Sequence, residues 1–256
     1  MLRALLVVAI GAAALPALAQ PTTGADAPRQ ELKRLLDRAD ALYATRDEDG
    51  NLAELQRLLE QAERAAPDEY EVLWRLARLH FWLSDDPSIS DEQKSRIGKR
   101  SWEYGDRAVK ANPERVEGHY YAAVGMGNYA LGLGVLKALR QGIEGKFKER
   151  LSRAERLEPG YGGGAIPTAW GRFFFELPWP KYDAGKSERR LQDALRQNPR
   201  NVRARLFLAD LYLKEDHPRE ARAQLEQVVA HRPGSYDAPE ERRTLQMARA
   251  KLARMN

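Results

Sequence analysis

Five prolines recur along the chain at nearly regular intervals, and this spacing constrains the fold more than any other feature. They are separated by 46, 46, 40 and 34 residues and stand at Pro67, Pro113, Pro159, Pro199 and Pro233. Five positions before each of them is a small or apolar residue: Ala62, Ala108, Ala154, Ala194 and Val228. Because proline cannot continue a helix, the pattern predicts stacked helical hairpins that each end at a proline. Such an architecture favours a binding protein over an enzyme.

The last interval contains the clearest repeat. Its small and apolar positions are Leu208, Ala209, Tyr212, Ala221 and Leu225. The small residues let two helices approach closely, and the larger ones fill the seam between them. An interval of 34 residues is that of a tetratricopeptide unit. We therefore predict an all-α solenoid of about five such hairpins, and a capping box from Asp237 to Glu240 predicts a polar C-terminal capping helix.

The extra residues of the longer intervals fall between the first and second helices of three hairpins. They occupy about residues 84–98, 132–145 and 178–185. Insertions at equivalent points of stacked repeats align on one edge, which is often the binding edge. Tolerated surface elaboration is the alternative, since loops accept insertions at little entropic cost.

The N-terminus has the features of an export signal. A positive start, a short apolar stretch and a small-x-small site predict a cleavable signal peptide at residues 1–19, cut after Ala19. Residues 20–30 are then expected as a flexible lead-in, and residues 31–256 as one solenoid domain. The chain has no cysteine, so disulfides and thiol chemistry are excluded. We expect a periplasmic or secreted protein with no membrane span after cleavage, with a retained membrane anchor as the alternative.

The remaining composition excludes several function classes. A net charge of +5 is spread over interspersed acids and bases, which disfavours nucleic-acid binding. The four histidines show no metal-ligand pairing, so no metal and no cofactor is predicted. Gly185-Lys186-Ser187 lacks the glycine of a phosphate loop, because Pro180 stands in its place. No nucleophile or acid pair stands out, which makes an enzyme the least favoured interpretation.

One part of the chain has the features of a known family. The matching segments are residues 119–125, the ending from Ala154 to Pro159, the glycine-rich residues 160–164, residues 171–178, and Lys186-Ser187. Over about residues 101–230 the chain resembles the T component of TRAP transporters and the related regulators of microtubule dynamics. The resemblance implies an all-helical fold, no chemistry, possible self-assembly, and a cleft for a small apolar molecule. It also implies a partner protein, namely a periplasmic solute-binding protein. The T component is a lipoprotein, whereas this chain has no cysteine to lipidate.

The first helix of each tetratricopeptide pair lines the concave face, and the resemblance therefore assigns candidate binding positions. They are Trp74, Arg78, Phe81, Trp82, Tyr120, Asn128, Trp170, Phe173 and Phe174. Aromatic side chains offer much contact area and suit a groove for an apolar ligand or a partner peptide. Arg78 and Asn128 have the chemistry to orient a carboxylate or an amide. The alternative is a tight superhelix that closes on itself, with these rings as ordinary core.

A proline-flanked tryptophan in the third insertion is the second candidate. Two prolines hold Trp179 in an extended presentation beside Tyr182, which suits docking of a protein partner. Packing of Trp179 over the end of the hairpin is equally consistent with the sequence. Two functions from different classes therefore stay open: a protein that binds an apolar ligand and a partner, and a pure protein–protein scaffold.

Overall fold

The computed structural model describes residues 26–234 and 236–255, and within these residues all regular structure is helical. Twelve helices follow one another: α1 Asp26–Tyr43, α2 Asn51–Ala65, α3 Tyr70–Ser84, α4 Asp91–Ala111, α5 Val116–Leu133, α6 Val135–Arg140, α7 Ile143–Leu157, α8 Ala165–Glu176, α9 Ala184–Gln197, α10 Val202–Lys214, α11 Pro218–Ala230 and α12 Ala238–Arg254. The predicted all-α solenoid is confirmed. The predicted signal peptide lies outside the described residues.

The helices pair into five hairpins and a cap. The pairs are α1 with α2, α3 with α4, α5 with α7, α8 with α9, and α10 with α11, while α12 packs on α10 and α11. The first helix begins at Asp26, inside the stretch expected as a lead-in. Pro28 is accommodated there, because the N–H groups of a first helical turn have no intrahelical partner. Among the described helices, none is both long and apolar enough to cross a membrane.

The five prolines stand where the second helices end. Pro67, for example, follows the cap residue of α2, Ala66, whose N–H donates to the carbonyl oxygen of Ala62 at 2.9 Å. The same bond closes α4, α7 and α9 on Ala108, Ala154 and Ala194. At the end of α11 the N–H of His231 donates instead to the carbonyl oxygen of Val228, three residues earlier, at 3.1 Å. All five of those residues are fully buried. The proline spacing thus marks helix ends, as predicted.

The three insertions have different structures. The first lengthens α4, which begins at Asp91 because Ser90 and Gln93 form a capping box. The second forms the extra helix α6. Only the third is a loop, at residues 177–183. The residues are thus added where the sequence predicted, and much of the first two insertions is helical, because a capped start and good helix formers let the chain stay helical.

Close approach of α4 and α5 depends on glycine. A Cβ on Gly105 would lie 2.5 Å from the backbone nitrogen of Ala122, and one on Gly125 would lie 2.6 Å from that of Trp102. Gly98 faces Tyr129 in the same way. Two hairpins therefore meet backbone to backbone, and larger side chains are excluded along this seam.

We expect Gly105→Ala to destabilise the protein by at least about 2 kcal/mol, because the added methyl group forces two packed helices apart. Gly145→Ala is the matched control. It lies in α7 with no atom within 4 Å of its Cβ position, and should be neutral or stabilising by about 0.5–1 kcal/mol. Urea unfolding followed by circular dichroism measures both. Equal stabilities of the two variants would contradict the claim that larger side chains are excluded between α4 and α5.

Burial of His80 predicts sensitivity to acid. The ring lies 5.4 Å from the ring of Tyr104 and parallel to it. Its Nδ1 has no hydrogen-bond partner among the described residues. Burial lowers the pKa of His80 to about 4, from an ordinary value of 6.5. The folded state therefore binds fewer protons than the unfolded state between those values, so stability falls as the pH falls through this window.

Replacing His80 with phenylalanine should remove this sensitivity. Between pH 7 and pH 5 the unmodified protein should lose about 2 kcal/mol more unfolding free energy than His80→Phe, since a phenyl ring cannot be protonated. Urea titrations at the two pH values give the difference. Parallel losses in both proteins would show that His80 is not the group responsible.

Candidate functional site: an aromatic cavity inside a closed ring

The inner face of the superhelix forms a partly open cavity of about 540 Å³. Its wall comes from the first helices α3, α5, α8 and α10, together with α6, α7 and the start of α12. Ten aromatic side chains line the cavity beside aliphatic ones: Tyr43, Phe81, Trp82, Tyr120, Tyr121, Phe147, Tyr161, Phe173, Phe207 and Tyr236. The insertions contribute too, through Asp85 and Lys94 from the first and through α6 from the second.

The rings of the wall pack on one another and hold its shape. The Tyr120 ring lies 5.1 Å from the rings of both Tyr121 and Tyr161. Phe147 stacks on Phe173 at 4.7 Å with nearly parallel planes. Burial raises the pKa of Tyr121 to about 12, so its hydroxyl stays neutral. These contacts hold the aromatic part of the wall in place.

The structure separates the predicted concave residues into two groups. Phe81, Trp82, Tyr120, Asn128 and Phe173 line the cavity. The other four, Trp74, Arg78, Trp170 and Phe174, do not belong to its wall. Part of the predicted set thus faces a cavity, and the rest lies outside its wall. A role of these residues in binding stays a prediction.

Internal contacts explain why two predicted residues are not part of the wall. Trp170 is 6% exposed and belongs to the apolar core. The guanidinium of Arg78 donates to Asp40 at 2.6 Å, so it orients a carboxylate of its own chain. Burial acts to raise the pKa of Asp40, but the hydrogen bond from Arg75 and the charge of Arg78 outweigh it and hold the pKa below its usual value. Arg78 is therefore a structural residue here.

Sequence reasoning missed part of the wall. Tyr161 lies in the glycine-rich turn before α8, and Phe147 lies on a second helix, so a rule about first helices excludes both. The same rule could have identified Arg203 and Asp210. They occupy the second and ninth positions of the fifth unit and line the cavity.

The two ends of the solenoid meet through arginine side chains. Four residues from the C-terminal end, Arg203, Asp237, Arg242 and Arg243, contact Arg46, Asp47, Trp82, Asp85 and Asp86 from the N-terminal end. We call these contacts the clasp. Arg46 Nη2 donates to both carboxylate oxygens of Asp237 at 2.8 and 2.9 Å. Arg242 donates to Asp47 at 2.5 and 2.7 Å. The chain therefore forms a closed ring.

Trp82 lies at the centre of the clasp between two guanidinium groups. That of Arg46 lies 4.0 Å from the ring centroid, and that of Arg243, from α12, lies 3.2 Å from it. Arg243 also donates to the carbonyl oxygen of Trp82 at 3.0 Å. Stacked cations of this kind stabilise most where water is excluded, and the Trp82 side chain is 3% exposed.

Arg203 completes the clasp by pairing with two carboxylates from opposite ends of the chain. It contacts Asp85, which follows α3, and Glu240, in the first turn of α12. Glu240 therefore does not close the predicted capping box, although the Asp237 side chain does cap α12. Burial raises the pKa of Glu240, and the charge of Asp85 adds to this against the opposing effect of Arg203.

The predicted docking loop presents its tryptophan to solvent. Trp179 is 88% exposed, so it does not pack over the end of the hairpin. Tyr182 is half-buried, and its hydroxyl donates to Glu215 at 2.6 Å while Lys214 lies 3.8 Å above its ring. Lys181 contacts Glu144 and fixes the loop to the start of α7. Trp179 is therefore available for contact with another molecule, whereas Tyr182 anchors the loop.

Comparison with known proteins identifies the family. Residues 35–179 match the family described as Regulator of microtubule dynamics protein 1-3, which covers more than half of the chain. The chain belongs to this family. Residues 182–240 match the tetratricopeptide repeat family. Of the two predicted resemblances, the comparisons support the one to regulators of microtubule dynamics, while the one to the T component of TRAP transporters stays a prediction.

Curated relatives and a solved structure agree with this assignment. Regulator of microtubule dynamics protein 1 from Bos taurus is 27% identical over 152 residues, which are 58% of this chain and 45% of the relative. The Mus musculus protein of that name is 25% identical over 66% of this chain and 51% of its own length. The chain thus spans about half the length of these relatives. A tetratricopeptide protein from Thermus thermophilus superposes with a TM-score of 0.64 over 87% of this chain and 99% of that protein, at 21% identity.

These relatives overturn one prediction. They are mammalian proteins named for an effect on microtubules. Mammalian cells have no periplasm, and microtubules are not periplasmic structures. The periplasmic or secreted location predicted for this family member is therefore wrong. A periplasmic solute-binding protein as its partner is no longer supported either.

Proposed function

We propose that this regulator of microtubule dynamics family member binds a small, mainly apolar ligand inside its ring. The cavity of about 540 Å³ carries the proposal, because it falls within the range of small-molecule sites. Close-packed protein interiors have few voids larger than a water molecule, so a cavity of this size is not ordinary core. A ligand that fits it would regain the packing contacts that the aromatic wall lacks.

The charges around the cavity favour an apolar ligand over a cationic one. Each carboxylate in the described part of the wall is already paired with an arginine or lysine of the chain. Asp237 pairs with Arg46, and Asp210 pairs with Arg172 at 2.9 Å. The others, Asp85, Glu144, Glu176 and Glu240, are paired in the same manner. A cationic ligand would therefore find no free carboxylate, and aromatic faces are the surface that remains.

Gly127→Leu should block the site without unfolding the protein. Gly127 lines the cavity, and its Cβ position meets only Phe147, at an ordinary 3.7 Å. A leucine there would project into the space that a ligand needs. We expect at least tenfold weaker binding of the neutral fluorophore N-phenyl-1-naphthylamine, measured by its fluorescence enhancement at fixed protein concentration.

Gly145→Leu is the matched control for this experiment. It makes the same substitution in a helix, at an exposed position outside the cavity wall. It should bind the fluorophore as the unmodified protein does. Equal binding by both leucine variants, or no binding by the unmodified protein, would reject a ligand site in the cavity. Circular dichroism confirms that both variants keep their helix content.

A second function is favoured by Trp179. The tetratricopeptide fold is used by protein–protein scaffolds, and an indole that is 88% exposed suits the centre of a contact with a partner. In this alternative the protein is a scaffold without a small-molecule ligand. The transporter role implied by the T component is not proposed, because it needs a periplasmic partner.

Trp179→Ala separates the two functions. The side chain makes little contact with its own chain, so the unfolding free energy should change by less than about 0.5 kcal/mol. Cross-linking to a defined partner should be lost in Trp179→Ala and retained in Gly127→Leu if the loop is the docking site. The reverse pattern would assign partner binding to the cavity.

A further inference from the structure

The clasp differs in kind from the contacts that hold the rest of the solenoid together. Neighbouring hairpins share buried apolar clusters, such as the one that joins α1, α2 and α3. Another joins α10, α11 and α12 through Leu225, Leu245 and Ala248. Among the described residues, no apolar cluster includes both ends of the chain. Closure of the ring therefore depends on charged groups and on the stacking of arginines on Trp82.

Charged contacts of this kind stabilise closure only weakly. Each guanidinium and carboxylate loses hydration when the ring closes, and that loss offsets most of the attraction between them. The Nε of Arg46 is buried with no hydrogen-bond partner among the described residues, which adds to the cost of the closed form. Opening the ring would hydrate all of these charged groups at once and, among the side chains of the clasp, would expose one large apolar group, that of Trp82. Separating two hairpins would instead expose apolar core, which is far less favourable.

The clasp is also part of the wall of the cavity. Arg46, Trp82 and Asp85 line the cavity from one end of the chain, and Arg203, Asp237 and Glu240 line it from the other. Tyr236, beside the clasp, lines it as well and is 46% exposed. Parting of the two ends would therefore open this side of the cavity to solvent.

We propose that the clasp is a gate: the C-terminal end of the solenoid parts from the first three helices while every hairpin stays folded. Helix α12 moves together with α10 and α11, because Leu245 and Ala248 belong to their apolar cluster. Opening of the gate widens the access of molecules to the cavity, which is already partly open when the clasp is closed. Opening itself does not depend on any ligand, and only its use as an entrance rests on the proposed function.

Charge reversal across the exposed pair of Asp47 and Arg242 tests the gate. Asp47→Arg would place a third cation beside Arg242 and Arg46, and should favour the open form. The double variant Asp47→Arg with Arg242→Asp restores an opposite-charge pair and should close the ring again. Asp37→Arg is the control, since it breaks an exposed ion pair with Lys33 on α1, outside the clasp.

The distance between the two ends is the direct readout. The chain has no cysteine, so Ala53→Cys on α2 and Ala250→Cys on α12 provide two unique sites for spin labels on exposed residues. Double electron–electron resonance should give one short distance in the unmodified protein and in Asp37→Arg. In Asp47→Arg a longer distance should appear with at least fivefold greater weight, and the double variant should lose it.

Several results would overturn the proposal. One is a distance distribution in Asp47→Arg that matches the unmodified protein. A second is a double variant that stays open, since charge would then not be the cause. A third is loss of helix content in Asp47→Arg, because the gate requires folded hairpins. Entry of N-phenyl-1-naphthylamine should be at least fivefold faster in Asp47→Arg. If the fluorophore does not bind at all, the proposed function fails while the distance measurement still decides the gate.

Discussion

Close contact between helices at small residues is the interaction on which the rest of this structure depends. Gly105 meets the backbone of Ala122, and Gly125 meets that of Trp102, so adjacent hairpins approach without intervening side chains. The four alanines and the valine that precede the prolines are also fully buried. A small rotation from each repeat to the next curves such an array, and here its two ends meet.

Much of the fold could be predicted because its signals are local. A proline that ends a helix, and a small residue that permits close packing, act within a few residues of their own position. Ring closure could not be predicted in this way. Arg46 and Asp237 are 191 residues apart, and nothing in either local sequence indicates the other. Which carboxylate an arginine pairs with across the ring depends on the curvature of the whole array.

The candidate site was predictable to a lesser degree, for a related reason. Phe81, Tyr120 and Phe173 line the cavity because the first helix of each pair faces inward, as the repeat implies. The rule fails where long side chains have closer partners. Arg78 lies on that helix but is bound to Asp40, and Trp74 donates to Glu71 at 2.8 Å. The repeat pattern identifies the inward face of each first helix. Contacts with neighbouring side chains decide which residues on that face line the cavity.

Closure of the ring also limits the number of hairpins that this protein can contain. An open array can gain or lose a hairpin and keep its remaining units, because each unit contacts only its neighbours. Here Arg242 reaches Asp47, and Arg243 reaches Trp82, only because the intervening hairpins turn the chain through a full circuit. One hairpin more or fewer would rotate the last helix away from the first. The number of repeats is thus set by the circumference of the closed ring.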